Sequence, residues 1–189
     1  MTTQDTIKEI KLELRAAMNG VVAAQMRQAG MPYKLIFGVE LPRLQEIARE
    51  FRADRRLAQA LWNESSRECK ILATMLMPPA EYLSEIAEIW TDEMPTAEIA
   101  QIAVQQLFSH TQWAADTAFC WIASDHAMRQ LCGFLIISRL LARGEQFNQP
   151  ALDELRDQAE ASMPEANLPL RKAITSVLER LPNPINKAE

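Results

Sequence analysis

The amino-acid sequence predicts an all-α chain, built as an α-solenoid of antiparallel helix pairs stacked side by side. No stretch alternates apolar and polar residues convincingly with a period of two, as a half-buried strand would. Apolar residues recur at helical spacing, and Pro, Ser and Asp separate the periodic segments. About ten or eleven helices of modest length favour the solenoid over a compact bundle, because small bundles use fewer and longer helices.

The helices are predicted in order from their apolar stripes and from the residues that cap or break them. The first spans 5–19, with Ile7, Ile10, Leu14 and Met18 on one face, and the second spans 21–29. An irregular segment covers 31–40, and a proline in the first turn begins the helix after it. The later helices are predicted at 41–51, 54–62, 66–77, 81–90, 95–107, 111–121, 125–142, 150–162 and 168–181, the last of them ended by Pro182 and Pro184, and the tail 186–189 is predicted to fray. The predicted helix caps include Asp54, Ser65 or Ser66, and Ser124-Asp125, and Leu83 is predicted to face the core.

Composition indicates a single globular domain over residues 1–189. Hydrophobic residues make up 48% of the chain and charged residues 24%, which is typical of a folded protein with a continuous core. The net charge of −5 predicts no strong overall attraction to nucleic acid, although a local basic face is compatible with it.

The cysteines and histidines do not form a recognisable chemical site. Cys69, Cys120 and Cys132 fit neither a disulfide framework nor a zinc site, so the sequence predicts three reduced core thiols in a cytoplasmic protein. We also see no signal peptide and no membrane-spanning run. His110 is expected in a loop and His126 in a first helical turn, neither with a metal-ligand partner. No nucleotide-binding or serine-hydrolase motif occurs, so we expect no metal and no cofactor.

Basic residues near helix starts are the most informative feature of the sequence. Helix starts line up on one face of a solenoid, and guanidinium groups beside free backbone amides favour phosphate. The alternative is that the arginines form ion pairs between repeats, with Glu46, Glu68 or Glu98 as partners. The candidate phosphate-binding residues are Arg43, Arg67, Lys70, Arg129, Arg171 and Lys172.

The four tryptophans are divided by their positions in the predicted helices. Trp62, Trp90 and Trp121 fall at apolar helix ends and are predicted to lie in the core. Trp113 falls in a first turn and is predicted to be the most exposed, where a ring could stack on a base or sugar.

Four segments resemble the HEAT-like-repeat DNA alkylation repair family, the AlkD-type DNA glycosylases. They are residues 33–43, the Leu61-Trp62…Arg67-Glu68 turn, the Trp121…Ser124-Asp125 turn, and Lys172-Ala173-Ile174 with Val177-Leu178. The resemblance implies a curved α-solenoid whose basic concave face holds duplex DNA. It also implies excision of N3- or N7-alkylpurines in base excision repair, by an aspartate and flanking tryptophans that stabilise an oxocarbenium-like sugar.

The sequence departs from the family pattern at the catalytic positions. By its place in the pattern, Gln101 stands at the catalytic aspartate, and Ala97 and Ser176 stand at two cleft tryptophans. Leu131 stands where an arginine usually follows the Ser-Asp turn. A glutamine carries no charge, and Glu98, one turn away, is the other candidate catalytic residue.

Three functional predictions follow from the resemblance and its departures. The first is a repair-like protein that binds duplex DNA on its basic face, with weak or lost glycosylase activity. The second is a non-enzymatic scaffold that binds a protein partner in the same groove. The third keeps glycosylase chemistry, with Glu98 as the acidic residue.

Overall fold

The computed structural model describes residues 2–182, and the predictions for Pro184 and for residues 186–189 lie outside them. Two short 3₁₀ turns, Pro79–Glu81 and Phe108–His110, accompany the α-helices, and the only β-type pairing within residues 2–182 is an isolated bridge between Leu35 and Ser66. The all-α prediction is confirmed. The helices are α1 (Thr3–Ala16), α2 (Gly20–Gln28), α3 (Leu41–Glu50), α4 (Arg55–Trp62), α5 (Arg67–Leu76), α6 (Ser84–Asp92), α7 (Ala97–Gln106), α8 (Ala114–Ile122), α9 (Ala127–Ala142), α10 (Gln149–Ser162) and α11 (Leu168–Leu178).

Short polar side chains cap most of these helices. Asp54 accepts the backbone N–H of Leu57 at 2.8 Å, and Ser66 accepts that of Cys69 at 3.4 Å, as predicted. The N-cap of α9 was predicted at Ser124-Asp125, and this was wrong. His126 is the N-cap, because the Ser124 hydroxyl donates back to the Trp121 carbonyl at 2.8 Å and closes the preceding helix instead.

Three predicted core positions are exposed. Met18 follows the end of α1, beside the Asn19 cap of α2, and is 57% exposed. Leu83 is the residue before α6 and is 50% exposed, because that helix starts three residues later than predicted. Cys120 is exposed because α8 buries Ala114, Ala118, Trp121 and Ile122, which share the opposite face.

Contacts between residues divide the chain into two compact units, Met1–Gln112 and Trp113–Glu189. We call them the amino-terminal unit and the carboxyl-terminal unit. The prediction of one domain over residues 1–189 stays a prediction.

In the amino-terminal unit, α5 packs against α3, α4 and α7, and α1 contacts α4. Arg67 begins α5 and donates both to the Val39 carbonyl, just before α3, and to Glu98 in the first turn of α7. The opposite ends of the three helices also meet, since Ala48, Met75 and Gln106 line one cleft. The helices α3, α5 and α7 therefore run in the same direction. The core includes Trp62 and Trp90, whose parallel rings stack with centroids 4.2 Å apart. Their predicted burial is confirmed.

In the carboxyl-terminal unit, α9 packs against α8 and α11, and α10 contacts α11. The crossing of α8 and α9 depends on Gly133, since a Cβ there would lie 2.8 Å from both the Ala118 carbonyl oxygen and the Ile122 side chain. Trp121 is buried as predicted, and Trp113 is half-buried with its ring centroid 6.2 Å from that of Trp121. Trp113 is therefore the most exposed of the four tryptophans, as predicted.

Candidate nucleic-acid interface

Arg67 lies at the centre of a buried charge network in the amino-terminal unit. Its side chain is 5% exposed, and its Nε and Nη2 atoms donate to the two carboxylate oxygens of Glu98 at 2.9 and 2.5 Å. Its Nη1 donates to Glu68 and to the Val39 carbonyl, both at 3.2 Å. Burial acts to lower the pKa of the guanidinium, but the hydrogen bonds and charges of Glu98 and Glu68 outweigh it and raise the pKa.

Glu68 fastens the irregular segment before α3 to the start of α5. Its fully buried carboxylate accepts the backbone N–H groups of Phe37 at 3.1 Å and Gly38 at 2.9 Å. Gly38 has a φ of 73°, and a Cβ there would lie 2.7 Å from the backbone nitrogen of Ala23. Only glycine fits this close approach, so the segment is held on both sides.

The segment is fastened a second time by Tyr33. Its phenol oxygen lies 2.8 Å from the hydroxyl of Thr96, the N-cap of α7. Half-burial is the main cause that raises the pKa of Tyr33. Segment 31–40 is therefore hydrogen-bonded to the starts of both α5 and α7.

The two candidate catalytic residues lie one turn apart on α7. Gln101 is exposed, and the Glu98 side chain is 31% exposed beyond its contact with Arg67. Both Glu98 oxygens already accept from a guanidinium, so its charge is largely compensated where it stands.

The other two basic candidates of this unit also have intramolecular partners. Arg43 is partly exposed and pairs with Glu46 at 2.9 Å and Glu13 at 3.4 Å. The Lys70 ammonium donates to the Trp62 carbonyl at 2.7 Å and lies 4.6 Å from the centre of the Trp62 ring. Burial is the main cause that lowers the pKa of Lys70. The ion pairs given above as the alternative for Arg43 and Arg67 are thus present.

The basic candidates of the carboxyl-terminal unit lie near the starts of α9 and α11. The first turns of α9 and α11 line one cleft of about 400 Å³ through Ala127, Gln130, Asn167 and Leu170. Further along, the hydroxyl oxygens of Ser138 on α9 and Ser176 on α11 are 2.8 Å apart. The two helices therefore run side by side in the same direction, with their amino-terminal ends together.

Arg129 lies in the first turn of α9, and Arg171 and Lys172 are the fourth and fifth residues of α11. Arg171 and Lys172 are exposed and Arg129 is half-exposed. An Arg171 Nη2 atom donates to the Ala166 carbonyl at 3.3 Å, which holds this guanidinium near the start of its helix. Asp125 and Glu165 line the cleft, whereas none of the three basic residues is among its lining residues, so the cleft itself disfavours a bound anion.

The sequence alone did not reveal the hydrogen bonds from segment 31–40 to Glu68, the Tyr33–Thr96 hydrogen bond or the stacking of Trp62 on Trp90. One signal was available: the bonded residues lie 30 or 31 positions apart in Phe37–Glu68, Gly38–Glu68, Trp62–Glu93 and Arg67–Glu98.

Among residues 2–182, no cluster of three or more His, Cys, Asp or Glu side chains could hold a metal ion. In that same range, no helix combines the length and apolar character needed to cross a membrane.

In each unit, alternate helices run in the same direction and are joined by hydrogen bonds. This arrangement is typical of a helical-repeat protein, the class predicted from the sequence. The chain belongs to the DNA alkylation repair enzyme family, which it matches over residues 10–183. No curated protein sequence matches it.

A solved structure supports the same fold. It is described as "a new family of proteins related to the HEAT-like repeat DNA glycosylases with affinity for branched DNA structures". The superposition has a TM-score of 0.79 and 17% sequence identity, and covers 95% of this chain and 75% of that chain. The predicted HEAT-like repeat architecture is thereby confirmed.

Proposed function

We propose that this protein binds duplex DNA through phosphate contacts, and that its alkylpurine glycosylase activity is weak or lost. One observation supports the proposal: α9 and α11 run in the same direction with adjoining amino-terminal ends, and three basic residues lie among the first five positions of these two helices. Guanidinium and ammonium groups attract phosphate, and the free amides of two parallel helices add positive potential. A role in base excision repair and a cytoplasmic location stay predictions.

The amino-terminal unit would contribute less direct contact. Arg67 reaches a phosphate only by releasing Glu98, so we assign it a positioning role: it fixes the first turns of α5 and α7. Arg43 can exchange its exposed partners for phosphate at little cost, since such pairs contribute about 0–1 kcal/mol.

The two candidate catalytic residues support weak or lost base excision. Gln101 presents a neutral amide at the position where the family resemblance places an aspartate. A neutral amide gives little stabilisation to a positively charged sugar in the transition state. Glu98 is one turn away, but Arg67 already neutralises it. Glycosylase activity that depends on Glu98 would require this ion pair to open.

A second candidate function is a scaffold for a basic protein partner. In the amino-terminal unit, residues 71–112 contain six acidic residues and no Lys or Arg, which contributes to the negative net charge. Leu83 and Ile89, which lie within this stretch, are also exposed. A basic segment with apolar anchors would complement such a surface.

Binding of a labelled duplex, followed by fluorescence anisotropy at low salt, tests the proposal. We expect R129A/R171A/K172A to bind at least about ten-fold more weakly than the wild type, because three phosphate contacts are lost. The control R15A/R27A/K34A removes the same charge from exposed positions elsewhere and should bind normally. Equal binding by all three proteins would contradict the phosphate contacts. Binding of a basic protein, without DNA binding, would favour the scaffold.

A base-release assay tests the catalytic part. Methylated duplex incubated with the wild type should release little or no 7-methylguanine. Release by the wild type that disappears in Glu98→Gln would instead establish Glu98 as the acidic residue of a working glycosylase.

A further inference from the structure

Four arginines lie close together in sequence at the corner between α3 and α4, outside the residues considered so far. Arg49 is in the last turn of α3, Arg52 lies in the connection, and Arg55 and Arg56 begin α4. All four side chains are exposed. Within residues 2–182, no hydrogen bond or ion pair engages any of their guanidinium groups. Arg43, at the other end of α3, differs because it forms an ion pair with Glu46.

Folding does not explain the cations at the start of α4. The amino-terminal end of a helix carries a partial positive charge, so Arg55 and Arg56 are unfavourably placed in its first turn. The nearest acidic group along the chain, Asp54, already accepts the Leu57 amide at 2.8 Å as the helix cap. These arginines therefore carry unneutralised charge at a position where the fold disfavours it.

The corner also borders an open cleft of about 520 Å³. Arg52 and Arg56 line it, together with Thr3 and Thr6 of α1. Glu9, Glu50 and Asp54 line it too, which disfavours a small anion enclosed within it. The arrangement suits an extended polyanion that touches the arginines along the rim.

We propose that Arg49, Arg52, Arg55 and Arg56 form a second DNA contact, which binds the phosphates of the sugar–phosphate backbone. This inference rests on the proposed DNA-binding function and adds a surface to it. The guanidinium fork matches phosphate geometry and stays charged at every relevant pH. An acidic protein is a poorer fit, because protein interfaces are built around buried apolar anchors. Of the neighbouring apolar residues, Leu57 is buried and Phe51 is half-buried.

The test compares R52A/R55A/R56A with the wild type and with the charge-matched control R15A/R27A/K34A. Dissociation constants for a labelled duplex and a labelled four-way junction are measured between 50 and 200 mM NaCl. Each lost phosphate contact lowers the slope of log K against log salt by about 0.9, so we expect a slope shallower by about 2–3. Affinity at 50 mM should fall at least about ten-fold on one or both DNAs.

A second variant, R52K/R55K/R56K, keeps the charge and should retain most of the affinity. The melting temperature of the alanine variant should stay level or rise by about 1–4 °C, because cations leave the start of α4. This control separates lost binding from lost folding.

Three outcomes would overturn the proposal, and they are distinguishable from failure of the proposed function. The first is that R52A/R55A/R56A keeps the affinity and slope of the wild type while R129A/R171A/K172A binds more weakly. This result would reject the second DNA contact and retain the first. An equal loss of DNA affinity in R15A/R27A/K34A would show that the effect depends only on net charge. Absence of any DNA binding by the wild type at 50 mM overturns both.

Discussion

Arg67 and Glu98 are 31 residues apart in the sequence, and their side chains meet in a bidentate ion pair with N–O distances of 2.9 and 2.5 Å. Phe37 and Glu68 are joined over the same separation, and so are Trp62 and Glu93. Trp90 and Gln59 form a fourth such pair. In the amino-terminal unit, long-range hydrogen bonds thus recur with the length of one helix pair, and they tie each pair to the next.

Removal of the Arg67 side chain should be costly. Arg67→Ala leaves the fully buried Glu68 and the Glu98 carboxylate without their cation, which predicts a loss of about 3–5 kcal/mol in the free energy of unfolding. Arg43→Ala removes a partly exposed pair and should cost about 0–1 kcal/mol. Urea unfolding of the two variants measures both values. Similar losses would show that the Arg67 network is energetically no different from a surface pair.

Gly133 should not tolerate a methyl group. Gly133→Ala places a Cβ against the Ala118 carbonyl and Ile122, so α8 and α9 must separate, and we expect a loss of about 1–3 kcal/mol. Gly20→Ala is the matched control: it meets no atom within 4 Å at the start of α2 and should be neutral or slightly stabilising. If thermal unfolding ranks the two variants in the opposite order, the close helix crossing is wrong.

The cysteines should differ sharply in reactivity. Cys120 is exposed, whereas Cys69 and Cys132 are buried, and burial raises the pKa of the Cys69 thiol to about 11. Because the thiolate is the reactive form, a thiol reagent at pH 8 should modify Cys120 alone in the folded protein. Cys120→Ser should then show no fast reaction, and denaturant should expose the buried thiols. Fast labelling of Cys69 in the native state would contradict its burial.

Lys70 should make stability depend on alkaline pH. Burial lowers its pKa in the folded chain below the ordinary value of 10.5. At a pH between the pKa of Lys70 in the folded chain and its pKa in the unfolded chain, the unfolded chain binds more protons. The contribution of Lys70 to the free energy of unfolding therefore rises with pH in that range. Lys70→Met removes this contribution. Urea unfolding from pH 8 to 10 should show the difference between the two proteins changing with pH, and a constant difference would contradict the assignment.

The local features of the fold could be predicted from the sequence because they depend on neighbours. Asp54 and Ser66 cap helices with amides three residues ahead, and apolar spacing identified Ile7, Ile10 and Leu14 as buried. Family membership was likewise predictable, since the matching segments occur in order along the chain.

The partners of the basic residues could not be predicted, because they depend on which helices meet. Helical spacing assigns Arg67 to a first turn but does not decide between phosphate and Glu98 as its acceptor. The same limit applies to Lys70, whose position over the Trp62 ring depends on the packing of α4 against α5. The 31-residue period was present in the sequence, but irregular spacing of the basic residues concealed it.

The salt dependence of DNA binding by R129A/R171A/K172A tests phosphate binding at α9 and α11 most directly. If these side chains neutralise three phosphates, the slope of log K against log salt should be shallower than in the wild type by about 2–3, since each contact contributes about 0.9. A slope and affinity equal to those of R15A/R27A/K34A would contradict it.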